Sequence, residues 1–148
     1  MTNKQKVKGT TFERDMTKML NELVEDSTWK RVPGSGAIGT IVKEPFLTGD
    51  INGRVISIEK TFKAEAKVGY GGATQFALKK EWLDKIREEA DGAYAIPLLL
   101  GKFSGSRGGV KSFVVLEPEV FAYLLNKITE LSNEVASLME EQEVHSLD

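Results

Sequence analysis

Two acids and a lysine in one stretch of this chain have the types and spacing for phosphate chemistry. Apolar and charged residues alternate over positions 62–68, which predicts a half-buried β-strand with Glu65 and Lys67 on its polar face. Asp50 begins the preceding predicted strand and can join them. Converging carboxylates can hold a hard divalent cation, and an adjacent lysine can orient a water or neutralise developing negative charge. These are the parts needed to hydrolyse a phosphodiester.

An alternative pairing of the strands stays open at this point. Asn52-Gly53 is a hairpin signal, and a turn there moves Asp50 away from Glu65. Glu59 is then the replacement carboxylate, although Thr61 rather than a lysine lies two positions after it.

Composition narrows the class of protein. The chain has 148 residues, 41% hydrophobic and 28% charged, which fits one soluble domain with a real core. It has no cysteine, which excludes disulfides, thiolate zinc sites and a cysteine nucleophile. No apolar run approaches the ~18–20 residues of a membrane span, and the polar start is unlike a signal peptide. We therefore expect an intracellular, cytoplasmic protein without a membrane partner.

Charge is divided unevenly along the chain. The net charge of the whole sequence is -2, but residues 1–116 carry an excess of basic residues and residues 117–148 an excess of acidic ones. A basic body attracts phosphates, so this distribution supports nucleic-acid binding by the body alone.

Hydrophobic periodicity predicts the order of the elements. We expect a basic flexible arm over 1–9, a helix from Thr10 to Val24, and a short strand over 29–32 followed by a glycine-rich loop. Strands then follow over 50–58 and 62–68, a helix over 73–90, strands over 93–100 and 111–116, and a last helix from Pro118. Pro97 is expected at a sheet edge or a bulge, because proline cannot donate to a ladder.

The arrangement of Asp50, Glu65 and Lys67 resembles the PD-(D/E)XK nuclease superfamily, most closely its archaeal- and phage-type Holliday junction resolvases. The resemblance covers roughly residues 8–125: a leading helix with Glu13, the Gly34-Ser35-Gly36 loop, Gly49-Asp50, Glu65-Ala66-Lys67 and a following helix. Gly49 stands where the family usually has a proline, and the distance from Asp50 to Glu65 is long for a tight hairpin. The resemblance implies an α/β fold, a restriction-endonuclease-like αβββαβ core with a mixed central sheet flanked by helices, plus a C-terminal helix.

The resemblance also assigns roles to individual residues. Asp50, Glu65, the backbone carbonyl of Ala66 and Glu13 are expected to bind the metal, and Lys67 to act beside it. Oxygen ligands favour Mg²⁺, with Mn²⁺ as a substitute. For Glu13 a capping box with Thr10 is the competing interpretation. Ser35 in the glycine loop and Gln75 in the helix after the motif complete the expected catalytic set.

DNA contacts are predicted at basic residues along the body, although a solvated surface explains many of them equally well. These residues are Lys8, Arg14, Lys30, Arg31, Lys43, Lys63, Lys79, Lys80, Lys102 and Arg107.

The last helix carries apolar residues at coiled-coil spacing, so we expect it to form a homodimer, with folding back on the core as the alternative. The seam comprises Phe121, Leu124, Ile128, Leu131, Val135 and Leu138. The predicted division is a nuclease domain over 1–127 and an acidic helical extension over 128–148.

The function hypothesis is a metal-dependent, homodimeric endonuclease that acts on branched four-way junctions and takes no small-molecule substrate. The alternatives are a restriction- or repair-type endonuclease on the same fold, and a non-catalytic DNA-binding or assembly module in which Glu65 and Lys67 form only a surface ion pair.

Overall fold

A computed structural model of the chain describes residues 3–32, 49–105 and 107–147. Helices and strands follow one another in the order expected of a mixed α/β domain. In chain order they are α1 (Asn3–Leu23), β1 (Ser27–Arg31), β2 (Ile51–Val55), β3 (Thr61–Val68), α2 (Lys80–Gly92), β4 (Ala95–Lys102), β5 (Ser112–Val115) and α3 (Pro118–Leu147).

The described strands form one sheet in the order β1-β2-β3-β4-β5. Strands β3 and β4 run parallel and are joined through α2, whereas the other neighbours are antiparallel. This mixed sheet with flanking helices confirms the predicted α/β, restriction-endonuclease-like fold class. Strand β4 pairs with β5 only from Leu99 onward, so Pro97 lies where β4 has its ladder to β3 alone.

Packing of aromatic rings decides where the β2–β3 turn lies. Trp29 and Phe62 are buried with their ring centroids 5.4 Å apart, and Gly53 lies against the Trp29 ring. A Cβ at Gly53 would approach Trp29 Cε3 to 2.2 Å, so glycine is needed there for close packing. The predicted Asn52-Gly53 hairpin is therefore wrong: both residues lie inside β2, and the turn occupies residues 56–60.

Helix α1 also covers the outer edge of the sheet at β1. The Asn21 side chain accepts the Trp29 backbone N–H at 2.8 Å and donates to the Trp29 carbonyl at 2.9 Å. Hydrogen-bonded and non-bonded pairs alternate along an antiparallel ladder. Trp29 belongs to a non-bonded pair with Gly53, so its N–H and C=O face away from β2. One amide side chain thus satisfies the edge of the strand at this position.

Both faces of β3 are covered, which corrects the predicted half-buried strand. Every residue from Phe62 to Glu65 is buried, Lys63 and Glu65 included. The reason is α2, which packs on β3 and β4 and buries Trp82, Ile86 and Ala90.

Two helix starts also differ from the prediction. Helix α1 begins at Asn3, so residues 3–9 are helical rather than a flexible arm, and Thr10 lies inside the helix instead of capping it. Helix α2 begins at Lys80 rather than near 73. Residues 73–79 form a loop instead, closed by a hydrogen bond from the Ala77 N–H to the Tyr70 carbonyl at 2.6 Å.

The chain divides into two compact units, Met1–Leu116 and Glu117–Asp148. The second unit contains α3, which begins at Pro118 as predicted and continues to Leu147, so residues 128–147 of the predicted extension are part of a longer helix. In the described part of the chain, no helix is long and apolar enough to cross a membrane.

Candidate active site

Strand register brings Asp50 and Glu65 together. Ile51 pairs with Ala64 across the β2–β3 ladder, and Asp50, directly before that ladder, lies close enough to Glu65 for its charge to raise the pKa of the Glu65 carboxyl. The Asp50 backbone N–H donates to the Ala64 carbonyl at 2.9 Å, and the Asp50 carbonyl accepts from Val32 N–H at 2.9 Å. Asp50 is thereby fixed between the end of β1 and the middle of β3.

The Asp50 side chain also bonds to the backbone of the motif strand. Its Oδ2 accepts the Ala66 N–H at 2.8 Å. Strand β2 does not extend far enough to pair with Ala66, so this side chain supplies the acceptor that a strand backbone would otherwise provide. Because the N–H and C=O of a strand residue lie on the same side of the strand, the Ala66 carbonyl faces Asp50 too.

Gly49 explains how the chain enters this arrangement. Its φ is +77°, which a proline, fixed near -65°, cannot adopt. A Cβ there would meet the Ala64 carbonyl at 3.4 Å and Ile86 Cδ1 at 3.6 Å, which are ordinary van der Waals contacts, so the positive φ is the reason for glycine. Glycine in place of the family's usual proline is therefore a requirement of this backbone.

Glu65 has the environment of a cation ligand. Its side chain is 6% exposed, and Oε1 lies 3.3 Å from Lys67 Nζ and 3.8 Å from Lys85 Nζ. Its Oε2 is buried without a hydrogen-bond partner among the described residues. Burial, and then repulsion by Asp50, raises the pKa of Glu65, while Lys85 and Lys67 lower it. An orphaned carboxylate oxygen beside a second carboxylate fits a bound cation.

Successive polar residues of β3 lie beside residues of α2, and the order along the strand is the reverse of the order along the helix. Lys67 Nζ lies 5.0 Å from the centroid of the Trp82 ring, and Lys85 lies beside Glu65. Further along, burial lowers the pKa of Lys63, and the negative charge of Glu89 partly opposes that shift.

Lys63 is the predicted DNA contact that the structure contradicts. The residue is 2% exposed, and its Nζ donates to Asn52 Oδ1 at 3.2 Å. It is buried because α2 covers the face of β3 that was expected to be open.

Glu13 is not gathered with the other two acids. Its carboxylate lies 3.6 Å from the Arg31 guanidinium, and no group of three or more acids, histidines or cysteines forms among the residues that the structure describes. A metal-binding role for Glu13 stays a prediction and requires its side chain to leave Arg31.

The remaining predicted catalytic residues are placed as follows. Gln75 is exposed in the loop before α2, not in its first turn. Ser35 and Lys43 lie outside the described residues. Glu59 is exposed in the β2–β3 turn and not on β3, so the alternative in which it replaces Glu65 is wrong.

Five of the predicted DNA contacts line two depressions beside α1. Arg14, Lys30 and Arg31 line a groove of about 620 Å³ between α1 and β1, together with Lys18, which the sequence analysis missed. Lys8 and Lys102 line a smaller cavity of about 190 Å³, where α1 meets the ends of β3 and β4.

Three further predicted contacts are exposed near or beyond the start of α2. Lys79 Nζ lies over the rings of Tyr70 and Trp82, at 5.7 and 5.6 Å from their centroids. Lys80 pairs with Asp84 at 2.7 Å, and Arg107 lies in the β4–β5 connection. Their roles in DNA binding stay predictions.

Lys85 was missed by the sequence analysis. Its spacing of three from Trp82 and four from Glu89 places it on the sheet-facing flank of α2, and that spacing was the available signal. Periodicity alone did not show which strand this flank would meet.

A mixed sheet with an Asp–Glu–X–Lys set at the ends of two adjacent strands defines a nuclease of the PD-(D/E)XK class. The family model described as "Phage putative PDDEXK endonuclease" matches residues 4–146. The chain belongs to this family, which implies endonuclease activity on DNA. Comparison with curated proteins and comparison with solved structures gave no match.

Proposed function

We propose that the protein is a metal-dependent, structure-specific DNA endonuclease that resolves four-way junctions as a homodimer in the cytoplasm of the host cell. The observation that carries the metal-dependent activity is the buried Oε2 of Glu65, which has no hydrogen-bond partner among the described residues and lies in a carboxyl group whose pKa the neighbouring Asp50 raises. Junction specificity rests on the resemblance to resolvases.

Asp50, Glu65 and the Ala66 carbonyl would hold Mg²⁺, with Mn²⁺ as a substitute and Glu13 as an added ligand. These are hard oxygen donors, and no cysteine competes. A bound divalent ion supplies Lewis-acid chemistry, lowering the pKa of water and withdrawing charge from a phosphate.

Lys67 acts on the water or on the phosphate. Its amine is held between Glu65 Oε1 and the face of the Trp82 ring, and its side chain is 21% exposed. From there it orients the attacking water or stabilises the charge that develops on the phosphate. The same geometry argues against the non-catalytic alternative, because the Glu65–Lys67 pair is largely buried rather than on the surface.

DNA lies across the sheet end that carries the acids. The groove with Arg14, Lys30 and Arg31 receives backbone phosphates on one side, and Lys8 with Lys102 receives them on the other. Ser35 and Gln75 act near the reacting phosphate.

The first test compares cleavage of a four-way junction with cleavage of linear duplex of the same sequence. We expect Mg²⁺-dependent nicking, at least about tenfold faster on the junction, and none in EDTA, since the acids alone cannot activate water. Gel assays at equal DNA concentration measure this. Equal rates on both substrates would favour a restriction- or repair-type enzyme, and binding without cleavage in Mg²⁺ or Mn²⁺ would favour the non-catalytic module.

Dimerisation is proposed through α3, because resolving a junction requires two cuts. Ile128 and Val135 on the predicted seam are 61% and 56% exposed. Ile128→Glu is expected to convert a dimer into a monomer, because it introduces a charge into an apolar seam, whereas Glu130→Gln on the outer face leaves the dimer intact. Sedimentation equilibrium measures both, and a monomeric wild type at micromolar concentration would contradict the proposal.

A further inference from the structure

We propose that Lys85 of α2 is a second catalytic lysine that binds the scissile phosphate. This inference rests on the proposed nuclease function and adds a residue that the Asp–Glu–X–Lys motif does not contain.

The first argument is position. Lys85 Nζ lies 3.8 Å from Glu65 Oε1, the same oxygen that lies 3.3 Å from Lys67 Nζ. Two amines from different elements thus meet at one carboxylate oxygen, whereas Oε2 of the same group has no hydrogen-bond partner in the described part of the chain. A phosphate that approaches Glu65 and Asp50 meets both amines.

The second argument is exposure. The Lys85 side chain is 51% exposed, against 21% for Lys67 and 6% for Glu65. Lys85 therefore lies at the boundary between the buried acid and solvent, where a DNA strand can reach it. The less exposed Lys67, packed on Trp82, is the better placed amine for a water molecule inside the site.

The third argument is that Lys85 is held in place. Its Nζ lies 3.9 Å from Glu89 Oε1 one helical turn further on, and the Glu89 side chain is 17% exposed. Two acids, one on β3 and one on α2, therefore lie within 4 Å of the amine, and their attraction restricts an otherwise flexible side chain. An amine held close to where charge develops stabilises a transition state more than a mobile one does.

The experiment compares Lys85→Met, Lys85→Arg and a matched control, Arg87→Met, in single-turnover cleavage with Mg²⁺ varied. Methionine keeps most of the stem without the charge, and Arg87 is an exposed basic residue two positions along the same helix, pointing away from Lys85. We expect Lys85→Met to lower the maximal rate about 100-fold at saturating Mg²⁺. Lys85→Arg should recover most of that loss, and Arg87→Met should leave the rate unchanged.

DNA affinity supplies a second measurement that does not depend on cleavage. In a cleavage-deficient Asp50→Asn background, Lys85→Met should weaken binding and lower the slope of log affinity against log salt by about one unit, as for one lost phosphate contact. Thermal melting of each variant checks that the fold is retained.

The outcomes separate this inference from the function on which it rests. A Lys85→Met protein that cleaves like wild type overturns the role of Lys85 and leaves the nuclease intact. Full recovery of its rate by added Mg²⁺ also overturns that role, because Lys85 would then act only through Glu65. An unchanged salt slope overturns the phosphate contact. A wild type without cleavage in any divalent ion overturns the nuclease function itself.

Discussion

An Asp50→Asn protein is expected to cut DNA about 10³-fold or more slowly than the wild type and to bind it at least as tightly. Asparagine keeps a side-chain oxygen that can accept the Ala66 N–H, so the bond that fixes the end of β3 is retained. What is lost is the charge that a divalent cation requires. Binding is spared because removing a carboxylate beside a phosphate removes repulsion.

The measurement pairs single-turnover cleavage with equilibrium binding to the same DNA. Asp91→Asn is the matched control, because it removes an exposed acid near the end of α2. It should leave both quantities unchanged. Cleavage by Asp50→Asn at the wild-type rate would exclude Asp50 from the site, and with it the proposed metal centre.

A Glu65→Gln protein is expected to lose cleavage to a similar extent and yet, without metal, to melt at a higher temperature than the wild type. The cause lies in the folded state, where burial and the repulsion from Asp50 raise the pKa of Glu65 above its ordinary value of 4.5. Above that raised pKa the wild type therefore bears the cost of a buried carboxylate, which a neutral amide avoids.

The pH dependence follows from the direction of that shift. A raised pKa means that Glu65 binds more protons in the folded protein than in the unfolded chain as pH rises from about 4.5 to the raised pKa, so the contribution of Glu65 to wild-type stability falls over that window. The advantage of Glu65→Gln should be small at low pH, where the acid is protonated in both states. It should grow as pH rises through the raised pKa and then level off.

Thermal melting in EDTA, and again with Mg²⁺, measures both parts of this prediction. Added Mg²⁺ should raise the melting temperature of the wild type, since a ligand that binds only the folded state stabilises it, and should have little effect on Glu65→Gln. A variant that melts below the wild type in EDTA at neutral pH would show that the Lys67 and Lys85 pairs outweigh burial.

The motif strand was predictable because its signal is local. Alternation over 62–68 places Glu65 and Lys67 on one face whatever the rest of the chain does. The position of Asp50 was not predictable in the same way. It depends on a five-residue turn over 56–60 and on Gly53 accommodating the Trp29 ring, a packing contact between strands that no local pattern records.

Coverage of the polar face by α2 was missed for a related reason. Alternation shows that two faces differ, not that the polar one is open. Lys63 and Glu65 are buried because α2 supplies Glu89 and Lys85 of complementary charge, 26 and 20 residues further along the chain. The starts of two helices were predicted wrongly. Local signals at Thr10 and Ala73 suggested a helix start, whereas the helices begin at Asn3 and Lys80.

The amide of Asn21 has a consequence for self-association. An uncovered outermost strand can template the addition of a strand from another chain, which leads to fibrils or continuous sheets. At Trp29 the donor and acceptor needed for such growth are already taken by one side chain of α1. Asn21 therefore hinders the addition of another copy of this protein at β1. Asn21→Leu should make concentrated solutions more prone to aggregate.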